Sequence, residues 1–324
     1  MEFKKFDISM VKEVVEIWNS DVVPYEIYAE FTEESFINKF IKNPCYNEDG
    51  SIVCVDEGKV VAFANACFRD TDPNSPGFIN MVVVKKGYQR KGIGSKLLEL
   101  LEDFLKANGK TFVRNYFASP INLKWYIPGY DKHEHAGAPA VPFNSPYYFL
   151  LLANGYNVNG QHDGFHIDLT KFEMPQKVKD KIAENEKDGY TITFYDKDKH
   201  YGFEEMFDAL GHDGFRMAVR NVISKPNHDP LIIAQKDGEI LGFTGPVKTE
   251  PSGRGSLAGV AIHPKAQKRG LGKTMFCVLC EESKKNGAKF MTLFTGSDNR
   301  ARNIYLYAGL RIARSFTVMR KELK

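Results

Sequence analysis

What is scarce in this 324-residue sequence narrows its possibilities quickly. No apolar run approaches the length that crosses a bilayer, and the opening residues, Met1-Glu2-Phe3-Lys4-Lys5, carry no apolar export segment. A cytoplasmic protein without a membrane partner is therefore the expectation. Cysteine is sparse. Five residues, an odd number without framework spacing, suit a reducing compartment and exclude a disulfide-stapled scaffold. Cys277 and Cys280 form a lone Cys-x-x-Cys that falls, at helical spacing, with Met275, Phe276 and Leu279, so core packing is expected there. His133-Glu134-His135 has no further ligands nearby, and no metal is expected. Charge of one sign is also lacking: the net is +3, too little for a nucleic-acid partner. Its distribution is uneven, −5 over residues 1–170 and +8 over 171–324, which favours cationic ligands in the first half and anionic ones in the second.

Two nucleotide-binding signatures are missing as well. Gly270-Leu271-Gly272-Lys273-Thr274 ends as a P-loop does, but Gln267 stands where that motif needs its first glycine. A Gly-x-Gly-x-x-Gly turn is absent from both places where it would be sought.

What the sequence does contain is one device used twice. Gln267-Lys268-Arg269-Gly270-Leu271-Gly272 follows an apolar run ending Val260-Ala261-Ile262 and precedes a helical pattern that includes Lys273. A strand, a glycine-rich turn and a helix start leave backbone amides unpaired at the positive end of the helix dipole, which is a phosphate site. The glycines let a pyrophosphate approach the backbone, and Lys268 and Arg269 add charge for its oxygens. The same order occurs 178 positions earlier, where Val82-Val83-Val84 leads into Gln89-Arg90-Lys91-Gly92-Ile93-Gly94-Ser95. The offset holds to the helix stops, Gly109 and Gly287, so the chain is two copies of one unit. Expected boundaries are 1–170 for the first domain, 171–188 for a linker and 189–324 for the second domain. The first copy carries 24 extra residues within 119–145, an aromatic and proline-bearing stretch expected to form an ordered lid.

The two loops resemble the acetyl-CoA pyrophosphate loop of the GNAT superfamily of N-acetyltransferases. The second copy adds Asp298-Asn299-Arg300-Ala301-Arg302-Asn303-Ile304-Tyr305 and then Gly309, similar to that family's later motif. The resemblance implies an α+β fold of two tandem domains, each a mostly antiparallel central sheet flanked by helices. It implies acetyl-CoA as cosubstrate, bound by both loops with their preceding strands and by Asn299 and Asn303. The acceptor would be an amine of a small molecule or peptide. Tyr305, four residues before Gly309, would be the catalytic acid that protonates the departing thiolate, which places the chemistry in the second domain. Leu151 holds the matching place in the first copy and cannot donate a proton; Tyr126 and Tyr147 are its possible substitutes. Glu250 and Asp213 are the candidate bases. The alternative is a non-catalytic acyl-CoA sensor or scaffold.

Overall fold

The computed structural model describes residues 1–324, and the chain forms two compact units. Unit 1 comprises Met1–Gly164, Gly296–Asp298 and Ala313–Lys324; unit 2 comprises Phe165–Thr295 and Asn299–Ile312.

In unit 1 the chain runs β1 (Glu2–Lys5), α1 (Val11–Asp21), α2 (Glu33–Lys39), β2 (Ser51–Asp56), β3 (Lys59–Cys67) and β4 (Phe78–Val84). Thr32 and Ser35 form a capping box that starts α2. Glu57 and Gly58, at φ of 48° and 77°, turn the β2–β3 hairpin. These four strands form an antiparallel sheet in the order β1-β2-β3-β4. In α3 (Ile93–Ala107), Leu97, Leu98, Leu101 and Leu105 are fully buried, as its helical periodicity requires. β5 (Phe112–Asn115) follows.

β4 and β5 touch at one parallel bridge, Gly77 with Val113, and share no further pairing beyond it. β4 is thus the edge of its sheet over most of its length. Its pairing with β3 also slips at Asn80, because Asn65 faces Met81 while Ala66 faces Ile79.

The extra segment forms a hairpin of β6 (Trp125–Tyr126) and β7 (Glu134–His135), followed by β8 (Val141–Pro142) and α4 (Pro146–Ala153). Trp125 is fully buried against Phe316. The segment is ordered, and it clamps the stretch after α1: Tyr126 donates its amide to the Ile27 carbonyl, and Ala29 donates to Lys124. β9 (Asn157–Asp168) completes this part of the chain.

Unit 2 repeats the order with α5 (Gln176–Lys187), β10 (Thr191–Phe194), α6 (Phe203–Leu210), α7 (Asp213–Ile223), β11 (Ile232–Lys236), β12 (Glu239–Gly245), β13 (Arg254–Gly255) and β14 (Gly259–Ile262). Then come α8 (Leu271–Lys285), β15 (Phe290–Gly296), α9 (Arg302–Tyr307) and β16 (Arg311–Glu322). Its sheet runs β10-β11-β12-β14, and β13 pairs in parallel with β15 through Gly255 and Met291, 178 positions after Gly77 and Val113. α5, in the stretch expected to be a linker, carries the fully buried Val178 into this core. Cys277 and Cys280 are buried in the same core.

The final residues Ala313–Lys324 belong to unit 1, where β16 pairs with β5 from Met319–Asn115 to Glu322–Phe112. Lys321 reaches the Glu102 carboxylate at 2.7 and 2.9 Å, and the Tyr156 hydroxyl donates to the same group at 3.0 Å. Glu102 is nearly buried, so removing its ammonium partner strands a charge. Lys321→Met is expected to cost about 2 kcal/mol, read as a lower urea midpoint, and Glu102→Leu added to it should restore most of the loss.

Candidate functional site

The two glycine-rich loops have the same backbone. Gly92 and Gly270 cap α3 and α8 in the left-handed region, at φ of 83° and 77°, and neither helix start carries a side-chain cap. Arg90 and Lys268 are also left-handed, at 62° and 66°. Gln89 donates to the Val84 carbonyl at 3.0 Å, and Gln267 donates to Ile262 at 3.3 Å, folding each loop onto the end of its strand. That bond is the reason for glutamine at this place. A side-chain carbon added at Gly92 would meet nothing within 4 Å, so the first-turn amides of α3 open to free space. Gly94 and Gly272 are closed by Leu150 and Ile304, each 3.2 Å from where a side chain would begin. These two contacts pair α4 with α9 at an offset of 154, the same that relates Leu151 to Tyr305.

Around the first loop the structure encloses a cavity of about 670 Å³. The loop itself lines it, with Gln89, Arg90, Gly92, Gly94 and Ser95. β4 lines it from Asn80 through Met81, Val82, Val83 and Val84, together with Asp21, Tyr25, Glu26 and Tyr28. Tyr147, Phe149 and Leu150 of α4 close the side. Lys91 leans over the Tyr88 ring, and Ile93 is buried beneath the helix start.

Where β4 and β5 part, side chains satisfy the orphaned backbone. The Asn115 amide donates to the Ile79 carbonyl at 3.1 Å and to the Tyr147 hydroxyl at 3.0 Å, while Tyr147 donates to the same carbonyl at 3.2 Å. Burial raises the Tyr147 phenol well above its ordinary range. A second chain of polar groups runs behind it: Asn80 donates to Asn65 and accepts from Ser119. Sequence reasoning passed over this network, although Asn80 interrupts an apolar strand and Tyr147 had been named only as a substitute.

The second copy is apolar at the matching places. Asn80 becomes Ala258, Asn115 becomes Leu293, Tyr147 becomes Ala301, and Asn65 becomes Gly245 by the pairing of β12 with β14. Tyr305 lies between Phe165 and Phe276, with ring centroids 5.5 and 5.0 Å away, and burial pushes its phenol up to about 12. Ala261 is buried, Val260 and Ile262 are half-buried, and Leu271 is packed under the helix start. Asn299 accepts the Ala301 amide at 2.9 Å, and Asn303 is exposed. Arg269 pairs with Asp188 at 3.0 Å and stacks on Tyr190, while Lys273 lies 4.9 Å from the Tyr307 ring centroid. The exposed Arg269 pair is weak enough for a phosphate to displace. Glu250 is held by Arg254 and Ser256, and Asp213 sits exposed on the first turn of α7. No helix is long and apolar enough to cross a membrane.

Comparison with known proteins agrees with this geometry. The model of the Acetyltransferase (GNAT) family matches residues 12–123 and 182–310. No curated protein matches the chain by sequence. Among solved structures, the chain is similar to a GCN5-related glucosamine N-acetyltransferase region of a fungal multi-domain GH3 beta-N-acetylglucosaminidase. That likeness has a TM-score of 0.68 at 14% identity, and covers 99% of this chain but 38% of that one. A GCN5-related N-acetyltransferase from Sphaerobacter thermophilus aligns at TM-score 0.61 and 14% identity, over 100% of this chain and 96% of that one. The tandem GNAT protein from the clavulanic acid biosynthesis pathway aligns at 0.57 and 13%, over 100% and 98%. At such identities the likeness is one of fold. With the family's model matched once in each half, over the strands and loops just described, the chain belongs to the Acetyltransferase (GNAT) family and carries its domain twice.

Proposed function

We propose that the protein moves an acetyl group from acetyl-CoA to an amine, and that this happens in the unit 1 cavity. The observation that carries the reading is the cavity itself: it joins a phosphate-binding helix start, an unpaired strand edge and an acidic lining in one enclosure. Acetyl-CoA supplies the activated acyl group as a thioester. The free amides of α3 and the Arg90 guanidinium suit its pyrophosphate, and the open space at Gly92 fits such a group.

The chain's own residues then have three tasks. Backbone groups on the open edge of β4 are available to hold the chain of the bound thioester and its carbonyl oxygen. The amine must lose one proton, which passes to solvent water, as the new C–N bond forms and the C–S bond breaks. The departing sulfur must gain one, and Tyr147, a neutral phenol kept so by burial, is the donor at the parting of the strands. A second reading places turnover in unit 2, with Tyr305 as the acid; its phenol is raised in the same sense, and the loop around Gly270 is equally preorganised.

Two experiments decide between these readings. Valine at Gly92 or Gly270 is strained by the left-handed backbone and should abolish acetyl-CoA binding at that loop. Calorimetry should give two sites for the wild type and one for each variant; an unchanged site count would refute the assignment of the loops. Tyr147→Phe is expected to lower kcat by about 10²-fold or more with acetyl-CoA affinity kept, and Tyr305→Phe to leave kcat within a few-fold. The opposite pattern transfers the chemistry to unit 2.

A further inference from the structure

The acidic lining of the unit 1 cavity bears on the identity of the acceptor. Of the charged residues lining the enclosure, Arg90 sits in the phosphate loop, while Asp21 and Glu26 sit at the end of α1 and just beyond it. Asp21 is engaged, because its carboxylate accepts the Lys86 amide at 2.8 Å. Glu26 is half-buried, and its side chain has neither a hydrogen bond nor an ion pair in the protein. Burial raises its carboxyl above the usual value, opposed by the more distant Arg314, whose guanidinium donates to the Phe143 carbonyl. Tyr28 lies two residues on, half-buried, and its hydroxyl has no hydrogen bond within the protein either. Both residues line the cavity. The backbone between and beyond them is pinned at Ile27 and Ala29 by the extra hairpin, and Tyr28 bridges to Trp125. A half-buried carboxylate and phenol in the cavity wall, neither side chain with a partner in the protein, are available to a ligand. Tyr25 and Phe149 add aromatic surface at the same cavity, 68% and 54% exposed.

Resting on the acetyl-transfer reading above, we propose that the acceptor is an aliphatic diamine: its distal ammonium is held by Glu26, its reacting nitrogen is steered by Tyr28, and its chain is covered by Tyr25 and Phe149. A single ammonium paired with Glu26 has no second nitrogen to present to the thioester, so the diamine alone keeps its anchor while it reacts. Carboxylate-bearing amines are repelled by the Glu26 carboxylate and are disfavoured. Aromatic faces favour cations and methylene chains alike.

The test uses the full-length protein, acetyl-CoA and three acceptors of one length: 1,5-diaminopentane, 1-aminopentane and 5-aminopentanoate, followed by thiol release. The diamine should be used with a kcat/KM about tenfold or more above the monoamine, and the amino acid should be poorest. Glu26→Gln should raise KM for the diamine by about tenfold with kcat little changed, so that the preference over the monoamine collapses, at an unaltered melting temperature. Tyr28→Phe should reduce the same preference in part. A wild type that uses 1-aminopentane as well as the diamine, or prefers 5-aminopentanoate, overturns the proposal; the latter would give the recognising role to Arg314. A Glu26→Gln protein that loses kcat equally on all acceptors would also overturn it, making Glu26 a base. Absence of thiol release with every amine, while calorimetry shows acetyl-CoA bound, would bring down the acetyl-transfer reading beneath it.

Discussion

The structure of the first unit depends on a single parting of strands. After the bridge between Gly77 and Val113, β4 and β5 share no backbone hydrogen bonds, and the backbone of β4 faces outward without a strand partner. Orphaned backbone groups must be met by something. At the apex they are met by Asn115 and Tyr147, both bound to the Ile79 carbonyl. Farther along they are left to the cavity. The glycine-rich helix start and the α1 end line the same cavity beside the parting. A strand edge is ordinarily a liability; here α4 and the cavity it lines lie over it.

The two copies share this architecture and differ in what fills it. The loops agree in backbone conformation, in the glutamine bond to the strand end, and in the closure of the second glycine by an aliphatic side chain. At the apex they diverge. Asn80, Asn115 and Tyr147 in one copy correspond to Ala258, Leu293 and Ala301 in the other. Replacing a buried polar network by apolar groups of similar packing costs little. Unit 2 thus has a packed apex with one buried phenol, Tyr305, where unit 1 has a polar apex facing a cavity.

The repeat was legible because its features are local. A glutamine, two glycines and a helix stop at constant spacing record backbone geometry within about twenty residues, and composition carries that record. Tyr305 and Leu151 were also legible, since both are counted back from a helix-ending glycine. The pairing of Asn115 with Tyr147, the clamp of the extra hairpin on Ile27 and Ala29, and the Lys321–Glu102 bond join residues 32 to 219 positions apart. Such contacts leave no period in the sequence. The placement of Ala313–Lys324 in unit 1 was hidden for the same reason, since any strand with alternating apolar residues would read alike. Glu26 and Tyr28 stand in a stretch between helices with no pattern at all, and only enclosure singles them out.

The central claim is that acyl transfer takes place in the unit 1 cavity, and a crystal structure with CoA covalently joined through its sulfur to an acetyl-linked amine tests it most directly. The account predicts the bisubstrate threaded along the open edge of β4, its pyrophosphate at the amides following Gly92, its amine arm toward Tyr28 and Glu26, and the Tyr147 hydroxyl nearest the sulfur. Density for the bisubstrate only at the Gly270 loop, with its sulfur beside Tyr305 and the unit 1 cavity filled by water, would contradict it.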